Sequence, residues 1–164
     1  MSRVVLVPGT LALLPQYASL EDPVADLRAA CLEAVGWLGA EVTVLADPQG
    51  ARVAAHLLAS TTRVGEEPSY LVVGNGSACR TEKAPGHLDE RAAAFDADLG
   101  RRLTDGPSDS LAGIDLELAH ELWASVDAIV DLAKIPDLSL VQLDYDDDPF
   151  GVQYWVVRWA SQIT

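Results

Sequence analysis

Ser77, Cys79, Arg80, Thr81, Lys83 and His87 fall in one short polar stretch, Val73-Gly74-Asn75-Gly76-Ser77-Ala78-Cys79-Arg80-Thr81-Glu82-Lys83-Ala84-Pro85-Gly86-His87. Hydroxyl, thiol, guanidinium, amine and imidazole groups crowd into it, and its glycines let backbone approach a ligand. Arg80 and Lys83, with Asn75, Ser77 and Thr81 beside them, form a set that could grip a small carboxylate. Ser77 or Cys79 could act as a nucleophile with His87 as base, provided the loop folds back. The Gly-x-Ser-x-Gly elbow is absent, because Cys79 stands where its second glycine belongs. Gly74-Asn75-Gly76 is neither a P-loop nor a dinucleotide fingerprint. A solvated loop that caps the next helix explains the same residues more plainly.

Two other groups carry possible chemistry. Glu117, His120 and Glu121 share a helix face at i, i+3 and i+4, which is half of a metal site. Asp144, Asp146, Asp147 and Asp148 form an acidic turn that lacks the glycine and distal glutamate of a calcium loop. A rebuilt site with His87 or His120 and one of these acids, Asp146 among them, would hold Fe(II) or Zn(II). It requires convergence on one point within about 5 Å, since zinc–ligand bonds are near 2 Å. Solvated faces are the alternative for both groups. His56, among Val53, Ala54, Leu57 and Leu58, reads as a helix-edge residue, and Cys31 as a core residue.

The elements that must position these groups follow from pattern. Val4 to Val7 is a strand ended by Pro8-Gly9, and a Leu-rich connection follows over residues 10–20. Asp22-Pro23 reads as a cap and first helical residue for a helix reaching Leu38. Glu41 to Leu45 is a second strand, Ala51 to Ala59 a short helix, and Tyr70 to Val73 a third strand. Leu88 to Leu103 forms a helix with Leu88, Ala92, Phe95 and Leu99 on one face. One or two helices occupy Ile114 to Lys134, with Leu116, Ala119, Leu122 and Trp123 inward. Strands at Leu138 to Leu143 and Val152 to Trp159 flank the acidic turn Asp144 to Gly151.

This order predicts one α/β domain over residues 1–164, a mainly parallel sheet flanked by helices with an antiparallel C-terminal hairpin at one edge. Trp155, Val157 and Trp159 share one face of the last strand, which predicts a subunit contact and a homo-oligomer.

The balance of 25 acids against 11 bases, a formal charge of −14, argues against nucleic acid and anionic membranes as partners. No apolar run is long enough to span a bilayer. The opening residues lack the apolar stretch and cleavage site of a secretory leader, so a cytoplasmic location is expected. Two cysteines cannot build a disulfide framework.

The segment Gly74-Asn75-Gly76-Ser77-Ala78, then Ala84-Pro85-Gly86-His87-Leu88-Asp89-Glu90-Arg91-Ala92, then Phe95-Asp96, resembles the class III extradiol ring-cleavage dioxygenase superfamily. That is the LigB-like group, which includes the Memo-type proteins. Arg80 to Gly86 and the ending Asp148-Pro149-Phe150-Gly151-Val152-Gln153-Tyr154 are similar to its actinobacterial members. The resemblance implies ferrous iron held by two histidines and a carboxylate, with the histidine of a Gly-Asp-Leu-Ser-His motif as acid/base. Ala78 stands at that histidine's position and Asn75 at the aspartate's. Val7-Pro8-Gly9-Thr10 carries no histidine after the first strand, and His56 alone lies between the first helix and Ser77. An alanine moves no proton, and a triad short of imidazoles should not retain Fe(II). The resemblance therefore implies a frame without its oxygenase chemistry and without a bound cofactor, acting as a small-molecule-binding or structural protein.

Overall fold

The computed structural model describes residues 1–15 and 22–162. Residues 16–20 of the expected Leu-rich connection over 10–20 lie outside the described residues, and its first part holds a short 3₁₀ turn at Leu11–Leu13.

Five strands, β1 (Ser2–Val7), β2 (Val42–Leu45), β3 (Ser69–Val73), β4 (Leu138–Asp147) and β5 (Tyr154–Ser161), form one sheet in the order β2-β3-β1-β5-β4. β2, β3 and β1 are parallel, whereas β5 runs against β1 and β4 runs against β5. The α/β arrangement with a C-terminal antiparallel hairpin at one edge is as the sequence pattern predicts. Because β4 is again parallel to β1, the turn joining β4 to β5 sits at the carboxyl end of β1, β2 and β3. That is the end at which open α/β sheets bind ligands.

Side-chain alternation along the strands builds two cores, one on each sheet face. Val5, Val7, Leu71, Val73 and Val156 pack under α1 (Ala25–Gly36) and α2 (Pro48–Ala59). Val4, Leu6, Val72, Trp155, Val157 and Trp159 pack under α3 (Ala92–Thr104), α4 (Leu116–Glu121) and α5 (Asp127–Val130). The aromatic face expected to meet another subunit is therefore spent inside the chain, and the Trp159 indole donates to the Leu103 carbonyl at 3.0 Å. Cys31, on the inner face of α1, is fully buried, and burial pushes its thiol pKa far above the ordinary value. No helix among the described residues is long and apolar enough to cross a membrane.

Several boundaries differ from the sequence reading. Asp22 does not cap a helix at Pro23: its carboxylate accepts the Val24 amide two residues on, an Asx turn, and α1 starts at Ala25. The cap-and-proline pattern operates instead at Asp47-Pro48, where Asp47 Oδ1 accepts the Gly50 amide and α2 begins earlier than expected. α3 starts at Ala92 rather than Leu88, because Cys79 O takes the Asp89 amide and Asp89 Oδ1 takes that of Arg91. Leu88 is consequently exposed. α4 ends at Glu121, and Trp123 turns outward in the left-handed region at φ +59°, so Leu116 and Trp123 are exposed while Ala119 and Leu122 are buried. β4 continues through Asp147, which converts the first half of the expected acidic turn into strand.

Candidate functional site

The loop after β3 is tied to the β4–β5 hairpin by main-chain bonds. Gly76 N donates to Gln153 O at 2.9 Å, Gln153 N to Ser77 O at 3.0 Å, and Arg80 N to Gly151 O at 3.0 Å. Asn75 pairs in both directions with Ser125, and Ala78 N reaches Leu122 O at 3.1 Å. The polar stretch is thus a folded strap between hairpin and α4, not a free loop.

Asp96 anchors this strap from α3. Its residue is 3% exposed, and Oδ1 accepts the buried Ser77 amide at 2.8 Å. Its other oxygen, Oδ2, is buried without a hydrogen-bond donor. The nearest cation is the Arg80 guanidinium, whose Nη1 stands 3.6 Å away, while Arg80 Nε bonds Asp148 Oδ2 at 3.2 Å. Burial pushes the Asp96 pKa up to about 6, against the lowering effects of the Ser77 amide and Arg80. Gly76 is required beneath it, since a β-carbon there would lie 2.5 Å from Asp96 Oδ1 and 2.8 Å from Gln153 Cβ.

Above Asp96 opens a cleft of about 390 Å³ between α3 and the hairpin, lined by Arg80, Asp96, Gly100, Asp146, Gln153 and Trp155 among others. Gln153 Nε2 donates to Asp146 Oδ1 at 2.6 Å and to Tyr154 O at 3.3 Å. Both of its amide protons are engaged, which leaves its Oε1 as an acceptor. Two hollows of about 490 and 500 Å³ lie elsewhere, beside Val42 and Tyr70 and beside Pro107 and Lys134. Neither is lined by a buried polar atom lacking a partner, so size does not make them the better site.

The residues singled out from the sequence do not assemble as one pocket. Arg80 alone of the five expected ligand-binding residues lines the cleft. Ser77 is fully buried, its hydroxyl donating to Leu122 O at 2.8 Å and accepting from Cys79 N at 3.0 Å. Asn75 bonds the Gly76 carbonyl through Nδ2, while Thr81 and Lys83 are exposed. Cys79 is buried with Sγ 3.6 Å from Gly86 O, and His87 is exposed at φ +59° with Nδ1 3.4 Å from Glu82 O. The nucleophile and its base thus have other partners.

The metal grouping of His87 or His120 with the acidic turn is also not assembled. His120 is exposed on α4, Asp144 is held by Arg158, Asp146 by Gln153 and Asp148 by Arg80. Among the described residues no three His, Cys, Asp or Glu side chains are grouped so that they could hold a metal ion. After β1, where the resemblance would place an iron ligand, the Thr10 hydroxyl instead accepts the Ala12 amide at 3.3 Å.

Asp96 is the residue that sequence reasoning missed. Its signal lay in the helix pattern: with Ala92, Phe95, Leu99 and Leu103 it falls on the buried stripe of α3, where an acid needs a reason to be. No protein-family model matches this chain, and no curated protein matches it either.

Proposed function

We propose that the chain is a small-molecule-binding domain on a LigB-like frame that no longer performs ring cleavage. The observation that carries the binding role is the Asp96 carboxylate, with one oxygen fixed by Ser77 and the other unpartnered beneath an open cleft. Buried polar atoms are ordinarily paired, and an exception at the base of a concavity marks a functional site. The loss of oxygenase chemistry is supported by Ala78, 8% exposed at the position where the resemblance implies an acid/base histidine. A buried methyl group there neither transfers a proton nor ligates iron.

The expected small carboxylate fits the cleft poorly. Arg80 is flanked by Asp96 and Asp148, so its charge is already answered, and Lys83 does not line the cleft. An anionic ligand would have to approach two or three carboxylates to reach one compensated guanidinium.

Two measurements test the proposal together. The protein is loaded anaerobically with Fe(II), analysed for metal and assayed for oxygen uptake with a catechol. In parallel, a small fragment set is followed by NMR at the Trp155 indole N–H, assigned through Trp155→Phe. Fragment-dependent shifts at Trp155 without catechol-dependent oxygen uptake are expected. Near-stoichiometric iron with ring cleavage, or an indole that responds to no fragment, overturns the proposal.

A further inference from the structure

We infer that the cleft over Asp96 is a site for a small organic cation, an ammonium or amidinium group whose N–H donors are received by Asp96 Oδ2. This rests on the reading of the cleft as a binding site and names the chemistry of its occupant.

The argument is one of unmatched hydrogen-bonding capacity. Asp96, Asp146 and Gln153 line the cleft, and each keeps an acceptor with no hydrogen bond: the buried Asp96 Oδ2, the second Asp146 oxygen and Gln153 Oε1. Of the donors at this end, Gln153 Nε2 and Arg80 Nε are committed, whereas the Arg80 Nη groups reach neither Asp96 Oδ2 nor Asp148 at hydrogen-bond distance. Gln153 Nε2 serves Asp146 and the Tyr154 carbonyl, and Arg80 Nε serves Asp148. Arg80 Nη1 approaches Asp96 Oδ2 only to 3.6 Å, beyond hydrogen-bond distance, so the charge of Asp96 is partly met but its lone pairs are not. A ligand N–H at ordinary distance supplies what Arg80 does not, and Arg80 keeps Asp148 as its partner when it yields the space.

Charge and shape agree with this. Asp96, Asp146 and Asp148 surround a single guanidinium at this end, and Arg101 on the outer wall already reaches Asp98 at 3.4 Å. Ala93, Ala97 and Gly100, on the same helix as Asp96, and Leu143 and Trp155 of the hairpin add apolar lining suited to the carbon body of such a ligand. At about 390 Å³ the cleft lies within the range that small ligands occupy.

Asp96 must be ionised to hold a cation well. The groups that act on it are Arg80 from the loop and Asp146 and Asp148 from the hairpin, and burial sets its pKa to about 6. Cation affinity therefore falls as pH drops through that value.

The test uses benzamidine, with benzoate and benzyl alcohol as anionic and neutral counterparts, titrated into the full chain and followed at the Trp155 indole and by calorimetry. Benzamidine is expected to bind in preference to both. Its affinity should weaken between about pH 8 and pH 5, and roughly ten-fold or more in Asp96→Asn. Asp96→Asn keeps an oxygen for the Ser77 amide, and Asp146→Asn, nearer the surface, gives a second variant with a smaller loss. Preference for benzoate, or undiminished benzamidine binding by Asp96→Asn, overturns the cation assignment while leaving a binding cleft. No response to any of the three overturns both the cation assignment and the binding function beneath it.

Discussion

Asp96 Oδ1 accepts the Ser77 amide at 2.8 Å, and both partners are buried. This one bond fixes the strap after β3 against α3, and it explains why an acid occupies an otherwise apolar stripe. Asp96→Ala removes the acceptor and strands a buried N–H, so a loss of about 1–3 kcal/mol is expected in urea denaturation. Asp96→Asn retains an acceptor and should lose less. An equal loss in the two variants, which both lack the charge, would show that the anchor acts through charge rather than through the hydrogen bond.

The same carboxyl makes a pH-dependent contribution whose sign is opposite to that of most protein acids. Its folded pKa, about 6, stands above the ordinary 3.8, so the folded chain holds this proton more tightly than the unfolded chain. Folding is then relatively disfavoured above about pH 6, and the penalty fades as pH falls toward 3.8. The shift corresponds to at most about 3 kcal/mol. The chain has 25 acids, so the measurement is the difference between wild type and Asp96→Asn across this window. Wild type should gain on the variant as pH falls, and a flat difference would refute the assignment.

Gly76→Ala should destabilise the fold by about 1–3 kcal/mol, an overpacking effect. The new methyl group would meet Asp96 Oδ1 and Gln153 Cβ together, and it also stands 3.0 Å from the Trp155 ring. None of these can retreat without breaking the strap or the hairpin. A denaturation midpoint equal to wild type would mean that the loop has more freedom than its main-chain bonds suggest.

His87 is held in the left-handed region at φ +59°, with its ring exposed. A non-glycine residue there is strained by about 1 kcal/mol. His87→Gly is expected to leave stability unchanged or raise it by up to about 1 kcal/mol, and to leave benzamidine titrations at Trp155 unaltered. Lost binding in this variant would return His87 to the site.

The parallel half of the sheet is legible because β1, β2 and β3 are short β-branched runs separated by Gly, Pro and capping acids, with helices between them. Asp47-Pro48 caps α2 three residues before Ala51, whereas Asp22-Pro23, the same dipeptide, does not cap a helix. The difference lies in which amide the carboxylate reaches, which spacing alone does not show. The loop residues drew attention because they are polar, yet Ser77 is buried and serves the backbone. Asp96 is not legible from spacing because its role depends on Ser77 and Arg80 of the strap and Gln153 of the hairpin, which only the fold brings to α3. Helical period places Trp123 inward, but α4 ends at Glu121, before reaching it.

Asp144 and Arg158 give the most direct test of the hairpin that closes this site. Their side chains are 4% and 10% exposed, and Arg158 Nε and Nη2 each donate to one carboxylate oxygen at 2.7 Å. The other acid near Arg158 is Glu33 of α1, 3.6 Å away and largely exposed. Removing Asp144 therefore leaves a buried guanidinium with a weak, solvent-screened partner. Asp144→Ala should lower stability by about 3–5 kcal/mol, the usual consequence of breaking a buried pair from one side. Replacing both residues together, Asp144→Leu with Arg158→Met, should recover much of that loss, because neither charge is then stranded. If the single variant loses less than about 1 kcal/mol, the pair behaves as a surface ion pair and the hairpin is held by β5 packing alone.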